Sequence, residues 1–538
     1  MSMEKSIYQR LSDWAAYAWS ELKGLGARSK LPFLISLLVG LLVHFPIYSY
    51  GLLNPDAMWM SEEYIGGWEV TLGRWALWIF DYLHGGVNSP ILMAFLTLCF
   101  FSLGGVLLNE LFGVTHPAAR ILIPICITAS PLVSITMTYY YCSDAYAFSF
   151  LLSVIAILLV VRKRSVATCI TGSLCIALAL GIYQSNLGVA AVLAALTLLF
   201  AVMEAPQAHK VHRKLLLQLL ITGILGVGLY YFILRVSLSI QGLSMMSYKG
   251  ADTISIASIL WNLPSGAAYA YQDFFDFFAR DTIMINSYLV RVCYSVIFAA
   301  FLCVFLWKLA KIRADKLSVL SAIALLCLLP LCCNLIDVAA PHTRIILLTS
   351  GGLHCLCPAA IAFCSKQLPA VLSSTSKKAW VPPGRLITLC AGALLIWNFA
   401  IIINADAMVM KNVTEQQVAL ANRICARMEE NEDYLHGAQV MVVGTPKNGN
   451  YPVVSRLAAK VNQYAYWGLV WGTPDGLLNG WYEIFRQKLG VLYNRCYEAQ
   501  YQDIVASADF KSMPIFPAQD AIRTIDGIVV IKVSEVTP

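Results

Sequence analysis

Carboxylates crowd the first polar stretch of this sequence. Residues 51–89 open with Asn54-Pro55-Asp56, a turn signal, and go on to Glu62, Glu63, Glu69 and Asp81. A carboxylate at the lip of an apolar body can take a proton from an attacking hydroxyl that it reaches directly or through one water. The plainer role for Asp56 is an Asx turn, in which its side chain only satisfies the backbone. Groups able to steady a developing anion are Arg74, Arg291, His342 and Arg344. For Arg74 an interfacial anchor is the competing reading, and for His342 and Arg344 simple snorkelling. Arg291 sits slightly inside an apolar run, where a charge is costly and usually functional. Asp144 and Tyr183-Gln184 also stand at the ends of apolar runs. Tyr183-Gln184 either lines a cavity or makes a packing hydrogen bond.

The elements that must position these residues are membrane spans. Hydrophobic residues make up 59% of the 538 and charged residues 13%, with a mean hydropathy of +0.67. A soluble chain carries about 25% charged residues. About eleven runs are long enough to span a bilayer. They are residues 31–53, 90–114, 118–139, 145–161, 166–183, 187–205, 215–240, 288–309, 317–335, 345–364 and 386–403. Lys and Arg alternate between the intervening loops: one side holds twenty basic residues and six acids, the other, up to residue 406, six basic and twelve acids. The basic side is therefore expected in the cytoplasm. An odd span count then puts the C-terminal tail outside. The net charge of +7 follows this membrane pattern, and no nucleic-acid partner is expected.

Three regions follow. Residues 1–30 form a cytoplasmic N-terminus with an amphipathic stretch at 12–25. Residues 31–405 form the membrane bundle, with outer loops at 51–89 and 241–287. Residues 406–538 form an extracytoplasmic domain. In the first loop Trp68, Trp75, Trp78 and Tyr82 recur at helical intervals, as on a helix lying along the interface. The second contains FFDFFARD, read as another interfacial helix. In the tail, residues 414–430 and 453–463 read as helices, and AQVMVVG (438–444) and GIVVIKV (527–533) as strands of a small α/β domain. Gly-Thr-Pro-Lys after the first strand lacks the phosphate-loop pattern. The Cys355-x-Cys357 pair lacks a second pair at zinc spacing, so no metal is expected. Pairing of Cys425 with Cys496 stays open.

The order of these motifs resembles a family. One span is followed by a loop with Asn54-Pro55-Asp56 and then Gly73-Arg74-Trp75, and a later span ends in Gly181-Ile182-Tyr183-Gln184-Ser185. This layout, with its strand-ended tail, resembles the bacterial membrane glucosyltransferases that decorate O-antigen and related surface polymers. They belong to the GT-C class. The resemblance implies an all-α polytopic, GT-C-like bundle carrying the α/β domain outside the cell membrane. It implies transfer of a hexose, glucose by analogy, from a polyprenyl-phosphate-sugar donor to a surface glycan, with no cofactor. Asp56 is then the expected base, with Glu62 and Glu63 in reserve or orienting the acceptor. Arg74, Arg291, His342 and Arg344 become candidates for the donor phosphate, and Tyr183, Gln184 and Asp144 for the substrate cavity. The wide spacing of Asp56 from Glu62 departs from the closely spaced acids of that class and argues against a metal. The competing readings are a transporter or flippase, or a polymerase or ligase, of lipid-linked glycans. A transporter would favour charges at mid-depth and internal repeats, whereas here the charges gather at the span ends.

Overall fold

The computed structural model describes residues 26–60, 67–247, 255–285, 287–340, 343–366, 383–445 and 461–536. Glu62, Glu63, His342, the 12–25 stretch and most of the 453–463 helix lie outside them. The chain is a helical polytopic membrane protein with a small C-terminal sheet.

Each of the eleven apolar runs is helical, but they are not equal spans. Eight helices are long and apolar enough to cross a bilayer. They include α1 (Gly26–Val43), the first spanning helix; two short helices of the first loop follow, α2 (Pro55–Trp59) and α3 (Gly67–Thr71). The loop continues into α4 (Trp78–His84) and the spanning helix α5 (Pro90–Leu111). A ninth span is formed if the bent pair α6 (Pro117–Thr128) and α7 (Pro131–Met137), meeting at 41°, counts as one. Pro131 at the start of α7 cannot continue the hydrogen bonds of α6. The carbonyl of Thr128 left at the break accepts instead from His44 Nε2 at 2.8 Å.

Then come α8 (Ser143–Lys163), α9 (Val166–Ile182), α10 (Leu187–Glu204) and α11 (His209–Gln241). Next are α12 (Ile256–Ala279) in the second loop, α13 (Tyr288–Lys311), α14 (Lys316–Cys333), α15 (Gly351–Ser365) and α16 (Gly384–Met428). Both α9 and α15 are apolar but shorter than the rest, the second because a 3₁₀ turn at Leu347–Thr349 takes up the start of its run. Helices approach closely at small residues: a Cβ on Gly105 would stand 2.7 Å from Pro124 Cα.

The 45 residues of α16 extend over roughly 65–70 Å, about twice a hydrocarbon core, so its second half projects beyond the bundle. On it packs a four-stranded sheet of β1 (Gln439–Val443), β2 (Asn494–Arg495), β3 (Ile522–Ile525) and β4 (Ile528–Lys532), in the order β2-β1-β4-β3. The pairings of β1 are parallel and β3-β4 is an antiparallel hairpin. Its turn is Asp526-Gly527, both at positive φ, as a two-residue hairpin loop requires. Cys425 and Cys496 are separate free thiols.

The tail is fastened to the same end of the bundle as the first loop. Asp406 accepts from the Asn462 backbone N–H at 2.7 Å, Asn462 Nδ2 at 2.8 Å and the Tyr464 hydroxyl at 2.6 Å. The Tyr464 hydroxyl also bonds Ser134 at 2.6 Å, and Asn462 Oδ1 accepts from Ile285 N at 2.8 Å. One buried carboxylate thereby ties the tail to α7, α16 and the second loop.

Candidate active site

The first loop does not form one interfacial helix. It breaks between α3 and α4 at Gly73, whose φ of +81 places it in the left-handed region. A side chain there would also meet Gln184 Nε2 and the Tyr230 hydroxyl at 2.6 Å. The break turns Trp75 inward, away from the exposed Trp78 and Tyr82, and docks the loop on the end of α9. Ala76 N–H donates to Gly181 O at 2.8 Å, Gln184 Nε2 donates to Leu72 O at 2.7 Å, and a Cβ on Gly181 would strike the Trp75 ring. The Gly-Arg-Trp and Gly-Ile-Tyr-Gln-Ser motifs are thus two halves of one joint.

That joint aims Arg74 into the bundle mouth. Its Nη1 donates to the Tyr146 hydroxyl at 2.9 Å, and its guanidinium lies 5.8 and 5.5 Å from the Tyr146 and Tyr183 ring centres. Those two rings stack at 4.0 Å. Among the described residues Arg74 makes no ion pair, and its buried Nε has no hydrogen-bond partner. A guanidinium held by aromatic faces and one hydroxyl keeps its fork available for an anion.

Around it are acids. Glu69 on α3, Asp81 on α4 and Asp144 at the start of α8 are all buried. His84 Nε2 is 2.9 Å from Asp144 Oδ2, and this hydrogen bond raises the histidine's pKa. Burial raises Asp81 to about 7, with Asp144 adding to the shift and His84 opposing it. Burial likewise raises Glu69 to about 9, with Asp81 adding and Arg74 opposing. At neutral pH Glu69 is therefore protonated and Asp81 divided between its two forms. Asp81 Oδ2, Asp144 Oδ1 and His84 Nδ1 are buried with no hydrogen-bond partner among the described residues. Buried polar atoms are normally satisfied, so such a concentration fits a place for polar guests. Among the described residues no three His, Cys, Asp or Glu side chains are spaced to hold a metal ion.

Asp56 opens α2, earlier in the same loop. Turn formation falls to Asn54, whose Oδ1 accepts from Ala57 N at 3.0 Å and whose Nδ2 donates to Thr138 at 3.0 Å. The half-buried Asp56 carboxylate instead accepts from Trp471 Nε1, in the tail, at 2.6 Å. Tyr141 feels the charges of both Asp56 and Arg74.

The remaining sequence candidates sit elsewhere. Arg344 makes a bidentate pair with Asp273 on α12, with Nε 3.1 Å from both oxygens and Nη2 also on Oδ1. It covers the Tyr269 ring at 4.7 Å. Arg291 pairs with Asp281 at 2.6 Å. Thus Arg74, Asp144, Tyr183 and Gln184 converge, whereas Arg291 and Arg344 are engaged in ion pairs. Glu69 and Asp81 were visible in the sequence only as further acids of the first loop, and His84, Tyr146 and Trp471 were not singled out. The i, i+3 spacing of Asp81 and His84 on one short helix was a readable signal; nothing local marks Trp471.

No curated protein and no solved structure matches this chain. The family model described as Glucosyl transferase GtrII matches residues 29–350, more than half of the chain, from α1 to the segment before α15. The match spans Asp56, Arg74, Asp144 and Gln184. On that match, the chain belongs to the GtrII glucosyl transferase family and is a membrane glucosyltransferase.

Proposed function

We propose that the protein transfers glucose from a polyprenyl-phosphate-glucose donor to a cell-surface glycan on the extracytoplasmic side of the cell membrane. The observation that carries this reading is Arg74, a half-buried cation without an ion pair among the described residues, set beside a stacked pair of tyrosines with its buried Nε unpartnered. Such a group suits a lipid phosphate whose charge grows as the anomeric bond breaks. Asp144 Oδ1, Asp81 Oδ2 and His84 Nδ1 suit sugar hydroxyls, which both donate and accept.

In this mechanism Asp56 takes the proton of the acceptor hydroxyl while its oxygen bonds to the anomeric carbon. The bond from that carbon to phosphate breaks, its electron pair stays on the phosphate oxygen, and Arg74 stabilises the released polyprenyl phosphate. Trp471 N–H holds one oxygen of Asp56 and fixes its direction. The external placement rests on the Lys and Arg asymmetry, since the acid-rich site lies at the end of the bundle opposite the basic loops.

The test is transfer by purified protein from polyprenyl-phosphate-glucose to polymer of the producing strain. Asp56→Asn keeps the shape but accepts no proton, and turnover should fall by about 10²–10⁴ with the donor KM little changed. Normal turnover in Asp56→Asn, with Glu62→Gln or Glu63→Gln inactive, would transfer the base role to a glutamate.

A further inference from the structure

Beyond the family-matched residues, the tail meets the Asp56 helix through Gln487, whose Nε2 donates to Met58 O at 3.0 Å, and reaches Asp56 itself through the loop 467–471. This loop is held rigidly. Gly468 has a φ of +66 and lies against Gln417, whose Oε1 accepts from Leu469 N at 2.6 Å. Leu469 and Val470 are buried, and Tyr464 just before them is locked on Asp406. Trp467 and Trp471, by contrast, are only half-buried. Their ring centres are 5.0 Å apart with planes inclined at 53°. The two half-buried indoles form a shallow aromatic step, and one of them bonds the carboxylate Asp56. Burying two tryptophans would stabilise the tail more, so their exposure calls for an occupant.

We propose that Trp467 and Trp471 form the acceptor subsite, stacking the pyranose ring of the glycan whose hydroxyl Asp56 deprotonates. This rests on the transferase reading above and deepens it. A sugar ring has an apolar C–H face that suits indole and a hydroxyl edge that suits a carboxylate, and here the two recognition elements share a hydrogen bond. Trp467 is a binding residue. Trp471 is also a positioning residue, because its N–H orients Asp56. The tail thereby sets which polymer is glucosylated, while the bundle handles the donor.

The experiment compares steady-state kinetics of Trp467→Ala, Trp467→Phe and Trp471→Phe in full-length protein. The donor is polyprenyl-phosphate-glucose and the acceptor is delipidated surface polysaccharide of the producing strain. Trp467→Ala should raise the acceptor KM roughly tenfold or more, with the donor KM within about twofold, and Trp467→Phe should restore most of the affinity. Trp471→Phe keeps a ring but loses the N–H, so it should lower kcat more than it raises the acceptor KM. An unchanged acceptor KM in Trp467→Ala overturns the subsite, as does an equal rise in both KM values. Absence of transfer by the wild-type protein would instead sink the transferase reading. The subsite is then judged by polysaccharide titration of tryptophan fluorescence, where equal affinity of wild type and Trp467→Ala also overturns it.

Discussion

At the end of the bundle near Glu110, charges meet and cancel, whereas at the other end some are left open among the described residues. Glu110 accepts from Arg120 at 2.8 Å and Arg162 at 2.7 Å, and Arg28 stands 3.5 Å away. Lys366 pairs with Glu204, and His209 with Asp315 at 3.0 Å, at the same end. The helix α8 runs between the two regimes, with Arg162 at one terminus and Asp144 at the other. At Asp144, one carboxylate oxygen meets His84 and the other has no partner among the described residues. A saturated pair serves the fold. A buried polar atom left open costs about 1–3 kcal/mol and persists where something other than protein is meant to fill it. Within the open end the same contrast recurs, since Arg344 and Arg291 have acids of their own and Arg74, among the described residues, does not.

The largest effect should come from splitting the arginines by that criterion. Arg74→Ala should cut transfer by roughly 10²–10³, the scale for losing one anion-stabilising donor, and Arg74→Lys should recover only part because it lacks the planar fork. Arg344→Ala should leave turnover within about tenfold and mainly loosen the second loop by freeing Asp273. The reverse ranking in the purified transfer assay would relocate the phosphate to Arg344.

A smaller effect, on stability alone, belongs to the closed end. Glu110→Gln leaves three arginines around a neutral amide and should destabilise the fold by about 1–3 kcal/mol, read as a lower Tm in detergent. Its kcat should match wild type, and a large kcat loss at unchanged Tm would mean that the closed end takes part in the reaction.

The smallest effect is a slope. Burial raises Glu69 from 4.5 to about 9, so across that window the folded state holds a proton that the unfolded state has released. Stability contributed by this group therefore falls as pH rises through the window, by at most about 1.4 kcal/mol per unit. Glu69→Gln, close in shape to the protonated acid, should flatten the decline of Tm between pH 6 and pH 8. Parallel declines in the two proteins would show that Glu69 is ionised and the open end better solvated than its burial implies.

Much of this was readable along the chain. Every apolar run became a helix, because hydropathy over about twenty residues is a local sum that the bilayer reads directly. The strands at Gln439–Val443 and Ile528–Lys532 fell inside the apolar runs proposed for them. Asp144 and Tyr183-Gln184 stood out by their place at span ends, and Asp56 and Arg74 by the motifs around them in the first loop. Span lengths were less legible, since a break such as the one before Pro131 depends on what accepts or supplies the freed hydrogen bonds.

Sequence alone determined that this is a many-helix membrane protein of glucosyltransferase layout, with its acids and bases sorted to opposite ends. Only the tertiary structure decided which charges are spent and which are open. Arg74 and Arg344 look alike in sequence, yet Asp273, 71 residues before Arg344, neutralises one, while two tyrosines frame the other. The contact from Trp471 to Asp56 spans 415 residues. Composition and periodicity are properties of neighbours along the chain, whereas the state of a carboxylate is set by whatever folding brings within a few ångströms of it.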